Sequence, residues 1–352
     1  MHDTQLCLWQ TRQKDCPFSE FLEEWDNTCR CPWGEGKYDM LAEGDLRLPQ
    51  FLADVKGVTF NNVKARPARL PSLPSFVPVV RKGSRSLLAK MDFPFVAVSL
   101  GDVISEKKLS IASDIRKKFG VGKNTKIILL SYGSDPLLEN IWTNRREVLS
   151  KIALLDFDLI TSINFSIWLP QPHAERLINL KRSLIVFEEM QNLGLPAIPH
   201  LYWSGKKDLL RWAEWINQNK EVKTIAINLQ TLRSNKDWGR SIDELQILSP
   251  ALNRPLHFLI TGPSTTKRVN QIANLFPCLT ISNGRCSRSA ACGFLLEKKE
   301  DTLVKTYRPD LNKKVILSQN TVIYNQIIAK QQATNQPYSF APPKGLVLQR
   351  ED

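Results

Sequence analysis

The chain contains 352 residues, 42% of them hydrophobic and 24% charged, which is the composition of a globular protein with a large core. Its apolar runs fall short of the ~20 residues of a membrane span, and residues 1–15 lack the basic and apolar regions of a signal peptide, so we expect a cytoplasmic protein outside the membrane. The net charge of +13 favours polyanionic partners, namely nucleic acid or nucleotides.

Residues 1–50 differ from the rest of the chain because they hold five Lys/Arg against ten Asp/Glu, which leaves +18 on the remaining residues. We interpret this segment as an acidic appendage that docks on a protein partner or on the chain's own basic surface. Its four cysteines are candidate zinc ligands, with scattered thiols as the alternative: Cys7, Cys16, Cys29 and Cys31.

Residues 51–92 are predicted as an extended connection, because the prolines of LPSLPSFVPVV (70–80) oppose a long helix. From 93 to 331, short apolar runs alternate with amphipathic segments, and 332–352 form a C-terminal tail. The apolar runs predict strands at 93–100, 126–133, 158–165, 196–203, 222–230, 256–262 and 278–283. The amphipathic segments predict helices at 107–120, 137–155, 174–194, 208–219, 243–252, 264–276 and 320–333.

This βα alternation predicts an α/β fold with a parallel sheet, because continuous apolar runs suit strands that are buried on both faces. Seven strands are one short of a TIM-barrel-like (β/α)8 fold, and the barrel is therefore irregular, incomplete or closed by another segment. Either FVPVV (76–80) or KKVILS (313–318) can supply the eighth strand. An open doubly wound sheet is the alternative. In both folds ligands bind at the carboxyl ends of the strands.

Two consecutive strand ends carry small polar residues and cations, and they predict one anion or phosphate site. A glycine allows close backbone approach, and a helix N-terminus with adjacent cations favours negative charge. An ordinary helix cap and a polar surface turn are the alternative. The candidate residues are Gly262, Ser264, Thr265, Lys267, Arg268, Asn283, Arg285 and Arg288.

Other strand ends carry candidate acid–base and stacking groups. His200, Asp102 and Asp135 are candidate catalytic residues, although a buried structural histidine and helix-capping carboxylates explain them equally well. Aromatic rings beside cations can stack on bases, with burial as the alternative. The candidate nucleic-acid contacts are Trp203, Lys206, Lys207, Arg233, Lys236 and Trp238.

Residues 164–203 resemble a family of unknown function found in phages, plasmids and bacteria. The resemblance rests on three short groups: Asn164, Phe165 and Ser166; Asn179, Arg182 and Ser183; and Gly194, Ile198, Pro199 and Trp203. It implies a barrel-like fold and an association with mobile elements, and it implies no activity. Asn164 stands where that family usually has Asp, which removes a carboxylate from the end of the strand.

The sequence contains none of the nucleotide or zinc fingerprints GxGxxG, GxxxxGK(S/T) or HExxH, so it predicts no particular reaction. Our leading hypothesis is a barrel that binds a phosphate-bearing ligand, a nucleotide or nucleic acid, at its carboxyl-end mouth. One alternative is a nonenzymatic DNA- or RNA-binding protein that uses a basic outer surface. Another is a protein-interaction component of a larger assembly.

Overall fold

The computed structural model describes residues 48–88, 93–106, 109–167 and 173–334. The candidate zinc ligands Cys7, Cys16, Cys29 and Cys31 lie outside the described residues, as do most of the acidic segment and most of the C-terminal tail. The predicted βα repeat forms a single parallel sheet with helices around it.

Nine strands form this sheet, and every neighbouring pair is parallel, as the sequence predicts. The eighth strand position is filled by FVPVV, the earlier of the two candidate segments, whereas KKVILS is helical. The segment predicted as an extended connection thus contains the first strand. The strands are β1 (Phe76–Val80), β2 (Phe95–Ser99), β3 (Lys126–Leu130), β4 (Leu159–Thr161), β5 (Ala197–Ile198), β6 (His200–Leu201), β7 (Thr224–Asn228), β8 (His257–Thr261) and β9 (Leu279–Asn283).

The sheet is nearly closed into a barrel. Its order begins with β5 and ends with β6, and only Pro199 separates these two strands, so they occupy one position between β4 and β7. Proline has no N–H for the sheet, which explains the interruption. The register of the paired strands gives the stagger of the barrel. When the pairing is followed from Val77 through every strand and back to β1, it returns at position 69, eight residues away, which is the stagger of a (β/α)8 barrel.

The interior of the barrel is filled by a small apolar cluster that includes Val77, Ile128, Ile198 and Leu259, while the larger core lies between the sheet and the helices. The amino ends of the strands are closed by Leu70 and Leu73, which pack against the interior cluster. The carboxyl ends open on the opposite side. Any ligand site of this barrel is therefore expected at the carboxyl ends.

Thirteen helices occur among the described residues, most of them in the connections between strands. Their bounds are α1 (Leu48–Asp54), α2 (Arg85–Leu88), α3 (Leu100–Val103), α4 (Ile115–Phe119), α5 (Asp135–Thr143), α6 (Arg145–Ile152), α7 (His173–Asn192), α8 (Lys206–Gln218), α9 (Asn235–Leu245), α10 (Leu248–Ala251), α11 (Thr266–Leu275), α12 (Arg285–Ala291) and α13 (Lys313–Thr334). No helix in the described ranges is long and apolar enough to cross a membrane.

Four helix predictions are wrong in their extent, and one of them is the last, predicted at 320–333, which begins seven residues earlier at Lys313. The helix predicted at 107–120 is only α4, because Leu109 has a positive φ of 46° and Asp114 caps the chain immediately before Ile115. The helix predicted at 137–155 is divided into α5 and α6 at Asn144, whose backbone is not helical. The helix predicted at 243–252 is two helices. The first, α9, begins eight residues earlier, at Asn235 after the cap residue Ser234, and the second is the short α10.

An antiparallel hairpin follows the barrel and was not predicted. Its strands are β10 (Phe294–Lys299) and β11 (Thr302–Tyr307), and β10 packs against α13. The fully buried Asn320 of α13 joins the two elements, because its side chain accepts from the Leu296 amide at 2.6 Å and donates to the Phe294 carbonyl at 3.1 Å. The hairpin therefore belongs to the folded body.

Candidate ligand site at the barrel mouth

A pocket of about 320 Å³ opens at the carboxyl ends of β6 and β7. Its walls come from the segments that follow β4, β6 and β7 and from one face of α9. Small-molecule sites typically have volumes of ~300–1,000 Å³, so the pocket suits a small ligand. The lining residues are Ile167, Tyr202, Trp203, Ser204, Asn228, Leu229, Thr231, Leu232, Asp237, Arg240, Ser241 and Glu244.

The aromatic wall of the pocket is held in place by hydrogen bonds. The Trp203 indole Nε1 donates to Glu244 Oε2 at 2.7 Å, and the Trp203 ring meets Tyr202 edge-on at 6.5 Å between centroids. Burial raises the pKa of Tyr202, and its hydroxyl makes a hydrogen bond with Thr231, which also lines the pocket. This wall offers a fixed indole edge and a phenol hydroxyl.

A second wall is a polar face of α9, which meets the aromatic wall at the hydrogen bond between Trp203 and Glu244. Ser234 caps this helix by accepting from the Asp237 amide, and Asp237, Arg240 and Glu244 follow at the spacing that puts side chains on one face. Arg240 Nε lies 3.9 Å from Glu244 Oε1, which is too long for a hydrogen bond. The Arg240 guanidinium forms this long ion pair and lines the pocket, and its planar set of N–H donors suits a ligand that carries an anionic group.

A hydrogen bond spans the mouth beside this pocket. The Gln230 side-chain amide donates to the Tyr132 hydroxyl at 2.8 Å and joins the segment after β7 to the segment after β3. Burial raises the pKa of Tyr132, so this phenol also remains protonated at neutral pH. Asp102, a predicted catalytic residue, lies in the first turn of α3 and accepts from the hydroxyl of the N-cap residue Ser99 at 3.0 Å.

Asp135, the second predicted carboxylate, accepts a 2.5 Å hydrogen bond from Ser166 in the segment after β4. The residues of the resemblance hold that segment in place. The Asn179 amide donates to the Ser166 carbonyl at 3.0 Å, and the Arg182 guanidinium lies 4.1 Å from the centre of the Phe165 ring. The residues of the resemblance therefore hold the backbone beside the mouth in place. Of these residues, only Trp203 lines the pocket.

The two loops predicted to form an anion site do lie side by side, because β8 and β9 are neighbours and the Gly262 amide donates to the Ser282 carbonyl at 2.9 Å. Two of the four predicted cations are committed elsewhere. Arg268 donates to the carbonyls of Leu232 and Arg233, and Arg285 donates to those of Ser264 and Leu303. Lys267 and Arg288 are exposed, and Arg288 Nε donates to the Gly284 carbonyl.

The remaining residues of these loops bind each other. Asn283 is buried, donates to the Pro263 carbonyl at 2.7 Å and accepts from the Arg285 amide at 2.9 Å. Thr265 caps α11, and the Ser264 carbonyl accepts from the Tyr324 hydroxyl. A Cβ on Gly262 would lie 2.7 Å from the Gln230 amide nitrogen, so this glycine is explained by loop-to-loop packing.

The predicted nucleic-acid contacts divide into two groups. Lys206, Lys207, Arg233 and Lys236 are exposed at the starts of α8 and α9, on the rim of the pocket. Trp238, by contrast, is buried, donates to Gln271 Oε1 at 2.9 Å and is covered by the Arg268 guanidinium at 4.5 Å. The rim cations therefore remain accessible to a ligand, and the Trp238 ring does not.

His200, the third predicted catalytic residue, lies inside the barrel. Its neighbour Ile198 and its register partner Ala226 both belong to the interior cluster, and His200 itself is only 2% exposed. Neither ring nitrogen has a hydrogen-bond partner among the described residues. Burial lowers the pKa of His200 to about 4, so the imidazole is neutral at physiological pH.

Within the described ranges, no group of three or more His, Cys, Asp or Glu side chains has the arrangement of a metal site. Cys278, Cys286 and Cys292 are free, and burial raises the pKa of the Cys286 thiol far above its usual range. No protein-family model matches the chain, and no curated protein matches it.

Proposed function

We propose that the chain binds a small phosphate-bearing ligand, of about the size of a mononucleotide, in the pocket at the barrel mouth. The observation that carries the proposal is the pocket itself, which combines an arginine, an aromatic wall and polar hydrogen-bonding groups within about 320 Å³. Such a mixture suits a ligand that has an anionic group, a ring and polar substituents. The proposed phosphate contact is therefore Arg240, and not the two loops for which the sequence predicted an anion site.

Charge supports an anionic ligand. Lys206, Lys207, Arg233 and Lys236 are exposed and lie within three residues of the pocket lining in sequence, so they favour the approach of an anion. The lining itself holds one cation, Arg240, together with Asp237 and Glu244. Within the pocket, Arg240 can bind a phosphate through two parallel N–H groups. Asp237 and Glu244 lie on the same helix face, and their carboxylates can accept hydrogen bonds from hydroxyl or amide groups at the other end of the ligand.

The pocket's size favours a mononucleotide over a nucleic-acid strand, because a strand would need a continuous groove. Its aromatic wall presents the edge of Trp203 and the hydroxyl of Tyr202 to a planar base. The proposal includes a cytoplasmic setting. Association with a mobile element is supported by the resemblance of residues 164–203 alone.

The proposal is tested by calorimetric titration of the full chain with the four ribonucleoside 5′-monophosphates at fixed, low salt. Replacement of Arg240 with Ala should weaken the binding of the preferred nucleotide by about 1.5–3 kcal/mol, the range of a charge-assisted hydrogen bond. Arg288→Ala is the matched control, because it removes one exposed charge outside the pocket. Equal losses in both variants, or no binding in the wild type, would reject the proposal.

A further inference from the structure

The inward side chains of the barrel become smaller in the layer above the apolar cluster, toward the mouth. In a (β/α)8 barrel, inward side chains from alternate strands form layers of four. The register puts Val77, Ile128, Ile198 and Leu259 in one layer. The next layer toward the mouth contains only small side chains: Ala97, Thr161, Ala226 and Ser282.

Four small side chains fill less of the barrel axis than the four branched apolar side chains beneath them. Protein interiors are packed densely, so unfilled space beside polar groups is normally taken by water or by a ligand. Polar groups do border this level. Ser282 Oγ and both ring nitrogens of His200 are buried and have no hydrogen-bond partner among the described residues.

The mouth pocket and His200 are close along the barrel wall. Asn228 lines the pocket, and it follows Ala226 by two residues on β7, with its side chain half-buried. Ala226 is the register partner of His200. Two residues of a strand span about 7 Å, so a ligand seated against Asn228 needs only a short extension to reach the imidazole.

We infer that His200, Ala226 and Ser282 border an axial chamber that receives the uncharged, hydrogen-bonding end of the mouth ligand. A hydroxyl, carbonyl or amide group fits this chamber, because a neutral imidazole offers one donor and one acceptor, and a serine hydroxyl offers both. A phosphate does not fit, because these walls supply no charge to balance it. The ligand is thus oriented with its phosphate outward at Arg240 and its neutral end inward.

The inference rests on the proposed function for the identity of the ligand, but the chamber can be tested without a ligand. Ala226→Val adds two methyl groups at the level of the chamber, and it should leave the thermal unfolding temperature unchanged or raised. Ala197→Val is the matched control, because Ala197 is also a buried strand residue but packs in the outer core. That variant should unfold at a lower temperature. If Ala226→Val lowers the unfolding temperature as much as Ala197→Val does, the inferred chamber is not present.

The ligand end is tested by NMR on the full chain labelled with ¹⁵N in its four histidine rings. The four ribonucleoside 5′-monophosphates and the corresponding nucleosides should shift the His200 ring signals, while inorganic phosphate should not. His257, at the amino end of the barrel, should stay unchanged throughout and serves as the internal reference. Ala226→Val should reduce the His200 response at least tenfold.

Each remaining outcome decides between the two proposals. If a nucleotide binds by calorimetry and the His200 signals do not move, the inference is overturned and the proposed function stands. If no nucleotide binds and Ala226→Val is tolerated, the chamber holds water only, and both the inferred ligand end and the proposed function are rejected.

Discussion

The Gln230 amide and the Tyr132 hydroxyl meet at 2.8 Å across the barrel mouth, three strand positions apart. Tyr132 also packs against the interior cluster that fills the barrel, so this hydrogen bond crosses the mouth on the side of the strands' carboxyl ends. We therefore expect this exposed contact between two side chains to limit access to the barrel interior.

Removing this contact should open the barrel interior. In Tyr132→Phe the Gln230 amide loses its partner, and the free energy of unfolding should fall by about 1 kcal/mol. Modification of His200 by diethyl pyrocarbonate, followed by mass spectrometry, should become several-fold faster than in the wild type. Tyr307→Phe is the control because Tyr307 is 61% exposed and lies in the hairpin, outside the barrel sheet. An unchanged rate in Tyr132→Phe would show that the bridge does not close the mouth.

Burial of neutral His200 should make the protein sensitive to acid. Its folded pKa of about 4 lies below the ordinary value of 6.5, so the unfolded chain binds an extra proton between these two pH values. Stability should therefore fall as the pH decreases from about 6.5 to 4, by about 3 kcal/mol for this group. His200→Gln should lack this part of the pH dependence in denaturant titrations. A variant that keeps the full wild-type slope would contradict a neutral, buried imidazole.

The fold was predictable because the strands of the barrel are short runs of mostly buried apolar residues and helices such as α8, α9 and α11 are amphipathic. The sequence did not decide which segment supplies the eighth strand, because FVPVV and KKVILS both contain short apolar runs. The structure resolves this by packing: β1 pairs with both β2 and β9, and KKVILS begins a long helix. Local breaks such as the positive φ of Leu109 carry no strong sequence signal, and the helix ends were therefore misplaced.

The site was less predictable than the fold. Strand-end reasoning drew attention to Trp203, which lines the pocket, but it did not include Arg240 and Glu244, which line the pocket from a helix. The only available signal was the polar spacing of Asp237, Arg240 and Glu244, and it was lost because the helix was predicted to start at 243. The commitment of Arg268 and Arg285 to backbone carbonyls depends on contacts with distant residues, which local sequence does not reveal.

Gly262 should be required for loop packing. Its φ of 120° is unfavourable for other residues, and a Cβ there would meet the Gln230 backbone, so Gly262→Ala should lower the free energy of unfolding by about 3 kcal/mol. Gly239→Ala is the matched control. Gly239 lies inside α9 with open space around it, and alanine there should raise stability by up to about 1 kcal/mol. Equal effects in urea titrations would contradict the packing explanation.

Arg182 should act as a structural clamp for the segment after β4. It lies between the rings of Trp142 and Phe165 and binds both carboxylate oxygens of Glu139, at 2.9 and 2.6 Å. A lysine cannot reproduce the planar, two-pronged contact, so Arg182→Lys should cost about 2 kcal/mol of stability. The exposed Arg146→Lys should cost almost nothing. If Arg182→Lys is equally neutral in urea titrations, the clamp is not needed.

The acidic N-terminal segment should be separable from the barrel. Deletion of residues 1–47 preserves α1, whose Leu52 is fully buried, and it removes five Lys/Arg and ten Asp/Glu. The shortened chain should remain folded by circular dichroism and bind polyanions such as heparin more strongly at low salt. Loss of folding would show that the segment belongs to the core.

The most direct measurement is a crystal structure of the full chain with the mononucleotide that binds most tightly in the calorimetric titration. We expect the phosphate beside Arg240, the ring against Tyr202 and Trp203, and the uncharged end directed past Asn228 toward His200. A nucleotide bound instead at loops 261–268 and 282–288, or on the outer surface, would contradict it.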